Sequence, residues 1–311
     1  MDGSPSVAPD TVSTEATDFI AVMGQTGVGK STFINTVTES SQQLEVGHGL
    51  ESCTQAVQLS EPLQFQGRNV VFIDTPGFDD SDADRSDADI LRMIADHLVE
   101  AKQRLAGVVY VKDISQVKMT GSACNNLHLF KKICGEDSLR NVAIVTTKWG
   151  RVPEEEGKER QRNLEINDKY FGGMIKAGAV PFCYDGTPAS AHSILEHIFT
   201  KQPTELNIQR EMVVEKKELA DTEAAQELHK QLDAKSGRIE TLLARLDREA
   251  KESEIAYQGA QAEIEKYKID LERLEKEKQK LKHRYKLWGT AAQVTAGAIL
   301  MAAGIPAATV L

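Results

Sequence analysis

Hydrophobic and polar residues follow three different spacings along the chain. From about residue 18 to residue 201, short runs rich in Val, Ile and Phe alternate with amphipathic segments of helical period. This alternation is typical of a mostly parallel, doubly wound sheet covered by helices, so we predict an α/β domain over 18–201. The predicted strands are 19–23, 56–63, 70–74, 107–111, 142–146 and 180–184. The predicted helices are 31–37, 87–104, 122–133, 154–171 and 189–199.

The second stretch, residues 203–286, is highly charged, poor in glycine and free of proline after Pro203. Apolar or small residues recur every seven positions, and a companion row changes sides near 246–250, which indicates a four-residue stutter. We therefore predict a long helix with coiled-coil character that pairs with a second chain. The alternative is a helix that folds back on the first domain, as a hairpin broken at Ser236-Gly237. The seven-residue row runs Ala225, Leu232, Ile239, Leu246, Ser253, Ala260, Tyr267, Leu274, Leu281, Trp288.

The last stretch, residues 287–311, carries no charged residue, and a basic, aromatic collar at 280–288 leads into it. A positive flank, an interfacial aromatic residue and an apolar helix in this order are typical of a tail anchor on the cytosolic face of a membrane. As a helix, the segment before Pro306 would span about 28 Å, just under a usual hydrocarbon core. Small residues dominate here, so the alternative is a helix packed on the protein itself or on a partner.

Composition narrows the classes of function. The 311 residues carry a formal net charge of −10, which argues against a general affinity for nucleic acid. The four cysteines are widely separated and form no CxxC pair, so we expect a reducing, cytoplasmic environment rather than a zinc site or a disulfide framework. Residues 1–17 are polar and lack the basic and apolar regions of a signal peptide, and we expect them to form a disordered lead.

The strongest chemical signal is GQTGVGKS at residues 24–31, which matches GxxxxGK[ST] and lies between a predicted strand and a predicted helix. In such a loop, consecutive N–H groups and the helix N-terminus converge on phosphate oxygens. Lys30 is expected to reach the β- and γ-phosphates, and Ser31 to ligate Mg²⁺. The residues predicted to contact the nucleotide here are Gly24, Gln25, Thr26, Gly27, Val28, Gly29, Lys30, Ser31 and Thr32.

A second nucleotide signal is DTPG at residues 74–77, directly after an apolar strand. Asp74, at the carboxyl end of that strand, is expected to hold Mg²⁺ through water, and the Gly77 N–H to touch a γ-phosphate. Between the two motifs lies a polar, Gly-containing loop that is typical of a switch segment. We predict that Thr54 completes the Mg²⁺ shell from this loop, with Ser52 as the rival.

These motifs resemble those of a known family. GQTGVGKSTFIN, a Thr in a Gly/Ser loop and DTPGFDD look like the septin-like branch of the GTPases. The nearest members are the immunity-associated GTPases (GIMAP-like, avirulence-induced type) and their fungal G-domain relatives, with the plastid import GTPases nearby. The resemblance covers about residues 18–200. It implies a Ras-like α/β fold, GTP and Mg²⁺ as ligands, and slow hydrolysis that is often coupled to dimerisation or membrane attachment.

The base-binding motif departs from the family. Guanine-binding members carry [NT]KxD, whereas residues 147–150 read Thr147-Lys148-Trp149-Gly150, so the acid that reads guanine is replaced. This loss removes about 1.5–3 kcal/mol of charge-assisted hydrogen bonding. Trp149 either flanks the ring or packs in the core, and Asp185-Gly186 lie in the loop that usually covers the base. GTP remains favoured, with ATP as the alternative.

The residue after Gly77 is a second departure. Ras-like enzymes have a Gln there that orients the attacking water, and Phe78 cannot do this. We therefore predict a low intrinsic GTPase rate, with Lys30, Thr54 and Gly77 as the catalytic groups. The favoured function is a nucleotide switch that forms a homodimer or oligomer through its G domain and coiled coil. The rival is a scaffold that binds GTP and hardly hydrolyses it.

Overall fold

The computed structural model describes residues 17–40, 43–44, 56–78, 86–100, 104–252 and 254–282. Within these ranges, one sheet of seven strands forms the centre of the domain that precedes the long C-terminal helices. The strands are β1 (Thr17–Met23), β2 (Gln58–Leu59), β3 (Leu63–Phe65), β4 (Arg68–Asp74), β5 (Leu105–Asp113), β6 (Val142–Thr147) and β7 (Val180–Cys183).

Helices cover this sheet and continue beyond it. They are α1 (Lys30–Thr38), α2 (Asp87–Glu100), α3 (Gly121–Cys134), α4 (Glu154–Ile166), α5 (Gly172–Lys176), α6 (Pro188–Phe199), α7 (Asn207–Gln209), α8 (Glu223–Glu252) and α9 (Glu254–Lys282). Short 3-10 turns lie at Glu136–Asn141, Trp149–Arg151 and Leu219–Asp221, and a π-helical turn follows α7 at Arg210–Val214.

The sheet order is β2-β4-β1-β5-β6-β7, with β3 also paired to β4. Neighbouring strands from β4 to β7 in this order are parallel, whereas β2 and β3 run antiparallel to β4. In register, Val22 pairs with Asp74, and Asp113 pairs with Thr147. The carboxyl ends of β1, β4, β5 and β6 therefore meet at one edge, and the predicted Ras-like α/β fold is confirmed.

Both faces of the sheet are buried. Along β1, Phe19, Ala21 and Met23 belong to the apolar cluster on one face, and Ile20 and Val22 belong to the cluster on the other. Successive strand residues point to opposite faces, so a strand covered on both sides reads as a continuous apolar run. This is why the central strands could be recognised from sequence to within two residues.

The prediction of one continuous strand over 56–63 was wrong, because this segment forms two short strands, β2 and β3. Ser60 lies between them: its N–H donates to Phe72 O (2.9 Å), and its hydroxyl accepts from Phe72 N (3.0 Å). Pro62 follows and has no N–H to donate to a ladder. Regular pairing resumes only at Leu63, opposite Val70.

Two predicted helices were too long. The helix predicted over 87–104 is described as far as Glu100, and residues 101–103 lie outside the described residues. Arg104 is not helical and directly precedes β5, whose first N–H (Leu105) bonds to Thr204 O. The helix predicted over 154–171 ends at Ile166, because Phe171 N turns back to Leu164 O (3.1 Å). This turn buries Phe171 fully against Tyr110, so tertiary packing outweighs helical periodicity here.

The C-terminal helices form a hairpin on the α/β domain. Helix α9 runs back along α8, since Lys278 near the end of α9 binds Asp233 near the start of α8 at 2.9 Å. The chain reverses direction between α8 and α9, and Ser236 and Gly237 lie inside α8 instead of breaking it. Members of the seven-residue row are buried in the apolar cluster shared with α2 and α3, namely Ala225, Leu232, Ile239, Leu274 and Leu281.

The described helices therefore fold back on the first domain, and the buried members of the row pack within one chain. Pairing with a second chain stays a prediction. Among the helices of the described ranges, none combines the length and the apolar character that crossing a membrane requires. The predicted anchor at 287–311 lies outside the described residues, as do residues 1–16 of the lead predicted over 1–17; Thr17 begins β1.

Candidate nucleotide-binding site

The loop between β1 and α1 has the backbone shape of a phosphate-binding loop. Gly24 has φ of 147°, and a Cβ at this position would lie 2.4 Å from the carbonyl oxygen of Val111 in β5. Only glycine fits such an approach without displacing the strand. Gly27 and Gly29 also have positive φ values, of 75° and 98°. Helix α1 begins at Lys30, so its N-terminus, with its positive dipole end, belongs to this loop.

Lys30 is held across the loop. Its side chain is buried, with only 6% of the residue exposed, and its Nζ donates to Gly24 O (3.2 Å) and Gln25 O (3.1 Å). A buried ammonium held by neutral carbonyls is poised to exchange them for anionic oxygens, which are stronger acceptors. The position predicted for the phosphate-binding lysine is therefore supported by its geometry.

Ser31 and Asp74 meet at the carboxyl edge of the sheet. The Ser31 hydroxyl donates to Asp74 Oδ2 at 2.6 Å, and Asp74 is fully buried at the end of β4. A hydroxyl and a carboxylate are hard oxygen donors of the kind that Mg²⁺ prefers. The two residues predicted as metal ligands are thus adjacent and chemically suited to that ion. Thr54, the third predicted ligand, and its rival Ser52 lie outside the described residues.

The DTPG motif packs directly on the phosphate loop. A Cβ on Gly77 would lie 2.3 Å from Thr26 N, and the Thr26 hydroxyl donates to Gly77 O at 3.3 Å. Thr75 fixes the start of the motif, because its N–H and hydroxyl both donate to Val22 O. Phe78 is buried in the apolar cluster, with 5% of the residue exposed. Glycine at 77 is therefore required by contact with the loop, as well as by any phosphate.

The base end of the site is organised around Lys148. This residue has φ of 61°, a left-handed conformation that residues with a side chain rarely adopt. Its Nζ donates to Gly27 O (2.6 Å) and pairs with Asp113 Oδ2 (2.8 Å). Thr147 supports it from behind, with its hydroxyl donating to Val28 O at 2.7 Å. Lys148 thus joins the base end to the phosphate loop.

Asp113 is a site residue that the sequence analysis missed. It ends β5 beside Thr147, and its Oδ1 accepts from Ser115 N (2.8 Å) and the Ser115 hydroxyl. Burial raises the pKa of this carboxyl, but hydrogen bonds from Lys148 and Ser115 outweigh burial and bring the pKa below its ordinary value. The available signal was an acid at the carboxyl end of a central strand, next to the strand that carries the lysine.

Trp149 packs against the protein. Its indole N–H donates to Thr146 O (3.1 Å), and a Cβ on Gly157 of α4 would lie 2.8 Å from the ring. Of the two interpretations of this residue, the packing one fits the structure. Gly150 opens to solvent, since a Cβ there would meet no atom within 4 Å. The space at position 150 is therefore available to a larger side chain.

Asp185 lies in the turn that starts α6. Its Oδ1 accepts from Thr187 N (2.9 Å) and from the hydroxyls of Thr187 (2.7 Å) and Ser190. These hydrogen bonds, from Ser190 and then from Thr187, hold the pKa of Asp185 below its ordinary value. Gly186 follows with φ of 92°. The predicted base-covering loop is present, with its carboxylate already engaged in shaping the turn.

The hairpin reaches the helix that follows the DTPG motif. Glu277 Oε1 of α9 accepts from Ala88 N (3.2 Å), one of the first N–H groups of α2. Lys280 pairs with Asp89, and its carbonyl accepts from Arg92 Nη2 (2.9 Å). Since helix N-termini leave N–H groups without intrahelical partners, α9 supplies part of the cap of α2. The C-terminal region and the switch-side helix are thus in direct contact.

The sheet order and the phosphate loop are those of the Ras-like fold of P-loop GTPases. Residues 19–148 match the family model described as 50S ribosome-binding GTPase. GTP-binding protein A of Dictyostelium discoideum is 30% identical over 132 residues, which cover 41% of this chain and 27% of that protein. GTPase Der of Rhodopirellula baltica is 28% identical over 162 residues, covering 51% of this chain and 33% of that protein. The chain therefore spans about a third or less of the length of these curated relatives.

Solved structures with a similar fold include Toc33 from Arabidopsis thaliana in complex with Mg²⁺ and GMPPNP. It has a TM-score of 0.48 and 15% identity, and the match covers 60% of this chain and 86% of that one. Era in complex with MgGDPNP and a segment of 16S ribosomal RNA has a TM-score of 0.39 and 15% identity. That match covers 54% of this chain and 51% of the Era chain.

Proposed function

We propose that this protein is a GTP-dependent switch, a Mg²⁺-dependent GTPase of low intrinsic rate in the septin-like, immunity-associated branch. The observation that carries the proposal is the joined geometry of Lys30, the Ser31–Asp74 pair and Gly77 at one sheet edge. A site that held only diphosphate would not need the DTPG segment seated on the loop. Groups suited to a metal and to a terminal phosphate lie side by side in this arrangement, which supports the proposal.

Each residue has a separate task in this proposal. Ser31 and Asp74, with Thr54 from the switch loop, would hold Mg²⁺, which supplies positive charge to the triphosphate when bound. Lys30 and the loop N–H groups orient the phosphates, and Gly77 N–H contributes a further donor. Phe78 is apolar and buried, so it cannot orient a water molecule. Slow hydrolysis follows from that substitution.

The choice of base is the weaker part of the site. Lys148 is held under the expected base position by Gly27 O and Asp113, which supports a purine. Gly150 offers no carboxylate to the exocyclic amine of guanine, and Asp185 is engaged with Thr187 and Ser190. We propose GTP as the ligand on the match of residues 19–148 to a GTPase family model. ATP is the second candidate, favoured by the absence of an acid at position 150.

We propose that the output of the switch is the contact between α2 and α9. Helix α2 follows the DTPG segment, so a movement of that segment on loss of the terminal phosphate would reach Ala88 and Asp89. Glu277 and Lys280 would then lose their partners, and the hairpin would be released. Burial, together with the charge of Asp87, raises the pKa of Glu277, in agreement with its enclosed position beneath α2.

Self-association, a membrane tail and a cytoplasmic location are further parts of the proposal. Leu242 of α8 and Ile269 of α9 are large apolar side chains with 42% and 59% of the residue exposed, which supports a helical surface for a second copy. The uncharged segment 287–311 supports attachment to the cytosolic face of a membrane. A chain truncated after Lys286 is expected to leave the membrane fraction. If it still sediments with membranes, the tail is not the anchor.

One pair of measurements tests the main proposal. Binding of fluorescent mant-GTP and mant-ATP to the full chain, with Mg²⁺ present, should favour the guanine nucleotide. A timed phosphate-release assay should then show slow turnover whose specific activity rises with protein concentration. Tight binding without any turnover would support the non-hydrolysing scaffold instead, and preference for mant-ATP would support the second ligand. Fast turnover that is independent of concentration would contradict the roles assigned to Phe78 and to self-association.

A further inference from the structure

A cavity of 370 Å³ lies between the loop after β5 and helix α4. The end of β5 contributes Lys112 to its wall, the loop after β5 contributes Lys118, and α4 contributes Arg160 and Leu164. The lining contains none of the phosphate-loop residues 24–32. This cavity is therefore separate from the place where the phosphates of a nucleotide would bind.

Lys112 is the unusual member of the lining. Only 3% of the residue is exposed, and its Nζ donates to the side-chain oxygen of Gln116, which is neutral. The neighbouring Asp113 carboxylate is bonded instead to Lys148 and Ser115. A buried ammonium without a bonded carboxylate is costly to desolvate. Because Lys112 borders a cavity, an anion in that cavity could compensate its charge.

Another part of the cavity wall is held in place by the hydrogen bonds of Arg160. Arg160 Nη1 donates to Ile114 O (3.0 Å) and Ser115 O (2.9 Å), and Arg160 also pairs with Glu156. These bonds hold the loop against α4 and pair the charge of Arg160 with Glu156, which leaves Lys112 and Lys118 as the cations of the described lining that are not paired with a carboxylate. The lining also includes Asp113, whose charge is paired with Lys148, and the neutral side chains of Gln116 and Asn163. The remaining lining residues are apolar or aromatic. They are Ile114, Val117, Met119, Leu164 and Tyr170.

We propose that this cavity binds a small organic anion. Its carboxylate or phosphate group contacts Lys112 and Lys118, and its apolar or aromatic part lies against Val117, Met119 and Tyr170. Two cations beside an apolar wall match that chemistry, and the volume suits a small ligand. The inference goes beyond the proposed nucleotide switch and does not depend on it.

Phenyl phosphate and benzoate test the inference, since each joins an aromatic ring to one of the two anionic groups. Calorimetric titration of the full chain should show one saturable site, and the stronger of the two ligands identifies the preferred group. The same site should persist in Lys30→Ala, because the phosphate loop does not contribute to it. Lys112→Met keeps the apolar stem and removes the charge, and should weaken binding about tenfold or more.

Two further variants complete the test. Lys118→Met is an exposed change that should preserve folding and weaken binding severalfold, so it decides the matter if Lys112→Met fails to fold. Lys158→Met, on α4 but outside the cavity lining, is the matched control and should leave affinity unchanged. Three results would overturn the inference: no saturable binding of either compound, unchanged affinity in Lys118→Met, or binding that disappears in Lys30→Ala.

Discussion

The phosphate end of the nucleotide site is built around one continuous loop, residues 24–31, with the DTPG segment packed on it, whereas the base end collects single side chains from segments far apart in the chain. At the phosphate end, Lys30 bonds to the carbonyls of its own loop, and Ser31 reaches Asp74 on the neighbouring strand. At the base end, Lys148 depends on Asp113, 35 residues earlier.

This difference explains why one end matches its motif fully and the other does not. A loop that binds through main-chain groups and one lysine tolerates few changes, because each residue also shapes the backbone. A base site made of independent side chains can lose one of them, as at Gly150, without disturbing the fold. The predictions below separate the two ends by their response to single changes.

Lys30→Ala should have the largest effect. It removes the one buried cation seated on the phosphate loop among the described residues, and we expect triphosphate affinity to fall about a hundredfold or more. Mant-GTP and mant-ATP should be affected equally, because the change is at the phosphate end. Lys158→Ala, an exposed lysine of α4, is the control. Retained mant-GTP binding by folded Lys30→Ala protein would contradict the assignment of this loop.

Gly150→Asp should affect only the base end of the site, and it should increase nucleotide affinity. The position opens to solvent and its φ is not positive, so the new side chain introduces neither a clash nor backbone strain. A charged acceptor for guanine should raise GTP affinity by about 1.5–3 kcal/mol, roughly ten- to a hundredfold, and leave ATP affinity nearly unchanged. Gly150→Ser is the uncharged control. An equal gain for both nucleotides would mean that residue 150 does not read the base.

Removal of Mg²⁺ should lower nucleotide affinity through the phosphate end of the site. Chelation is expected to lower mant-GTP affinity about tenfold, because Ser31 and Asp74 then lack the ion that shares the triphosphate with them. In Ser31→Ala this dependence on Mg²⁺ should be much reduced. Thr36→Ala removes another hydroxyl of α1, one that bonds to Thr32 O, and should behave like the unmodified protein. Equal sensitivity of both variants to chelation would place the metal elsewhere.

Lys148→Met should have the smallest effect and should affect both ends. Its Nζ bridges Gly27 O and Asp113, so we expect a loss of about three- to tenfold for GTP and GDP alike. Equilibrium titration with both nucleotides measures this. If affinity fell for GTP but not for GDP, Lys148 would act on the terminal phosphate. The two ends of the site would then not be separate in function. Lys169→Met, an exposed lysine outside the site, serves as the matched variant.

Much of the fold and of the phosphate end of the site could be predicted from the amino-acid sequence. The central strands and α3 were located to within two residues, because a sheet buried on both faces needs continuous apolar runs and a helix needs its own period. The phosphate loop was recognised because its residues are consecutive and each position has a fixed geometric task. Boundaries failed where distant contacts decided them, as at Phe171, which leaves the helical pattern to pack on Tyr110.

The sequence by itself determined the phosphate loop, the parallel sheet and the loss of the guanine-reading acid, since these depend on local order and residue type. Tertiary structure alone decided the rest. Asp113 meets Lys148 because β5 lies beside β6, a neighbour relation that no local pattern encodes. As a sequence pattern, the seven-residue row of α8 and α9 fits equally well against a second chain or against the α/β domain of its own chain. In the structure, its buried members pack beside α2 and α3 of the same chain, because an apolar stripe specifies that it must be covered, but not by what.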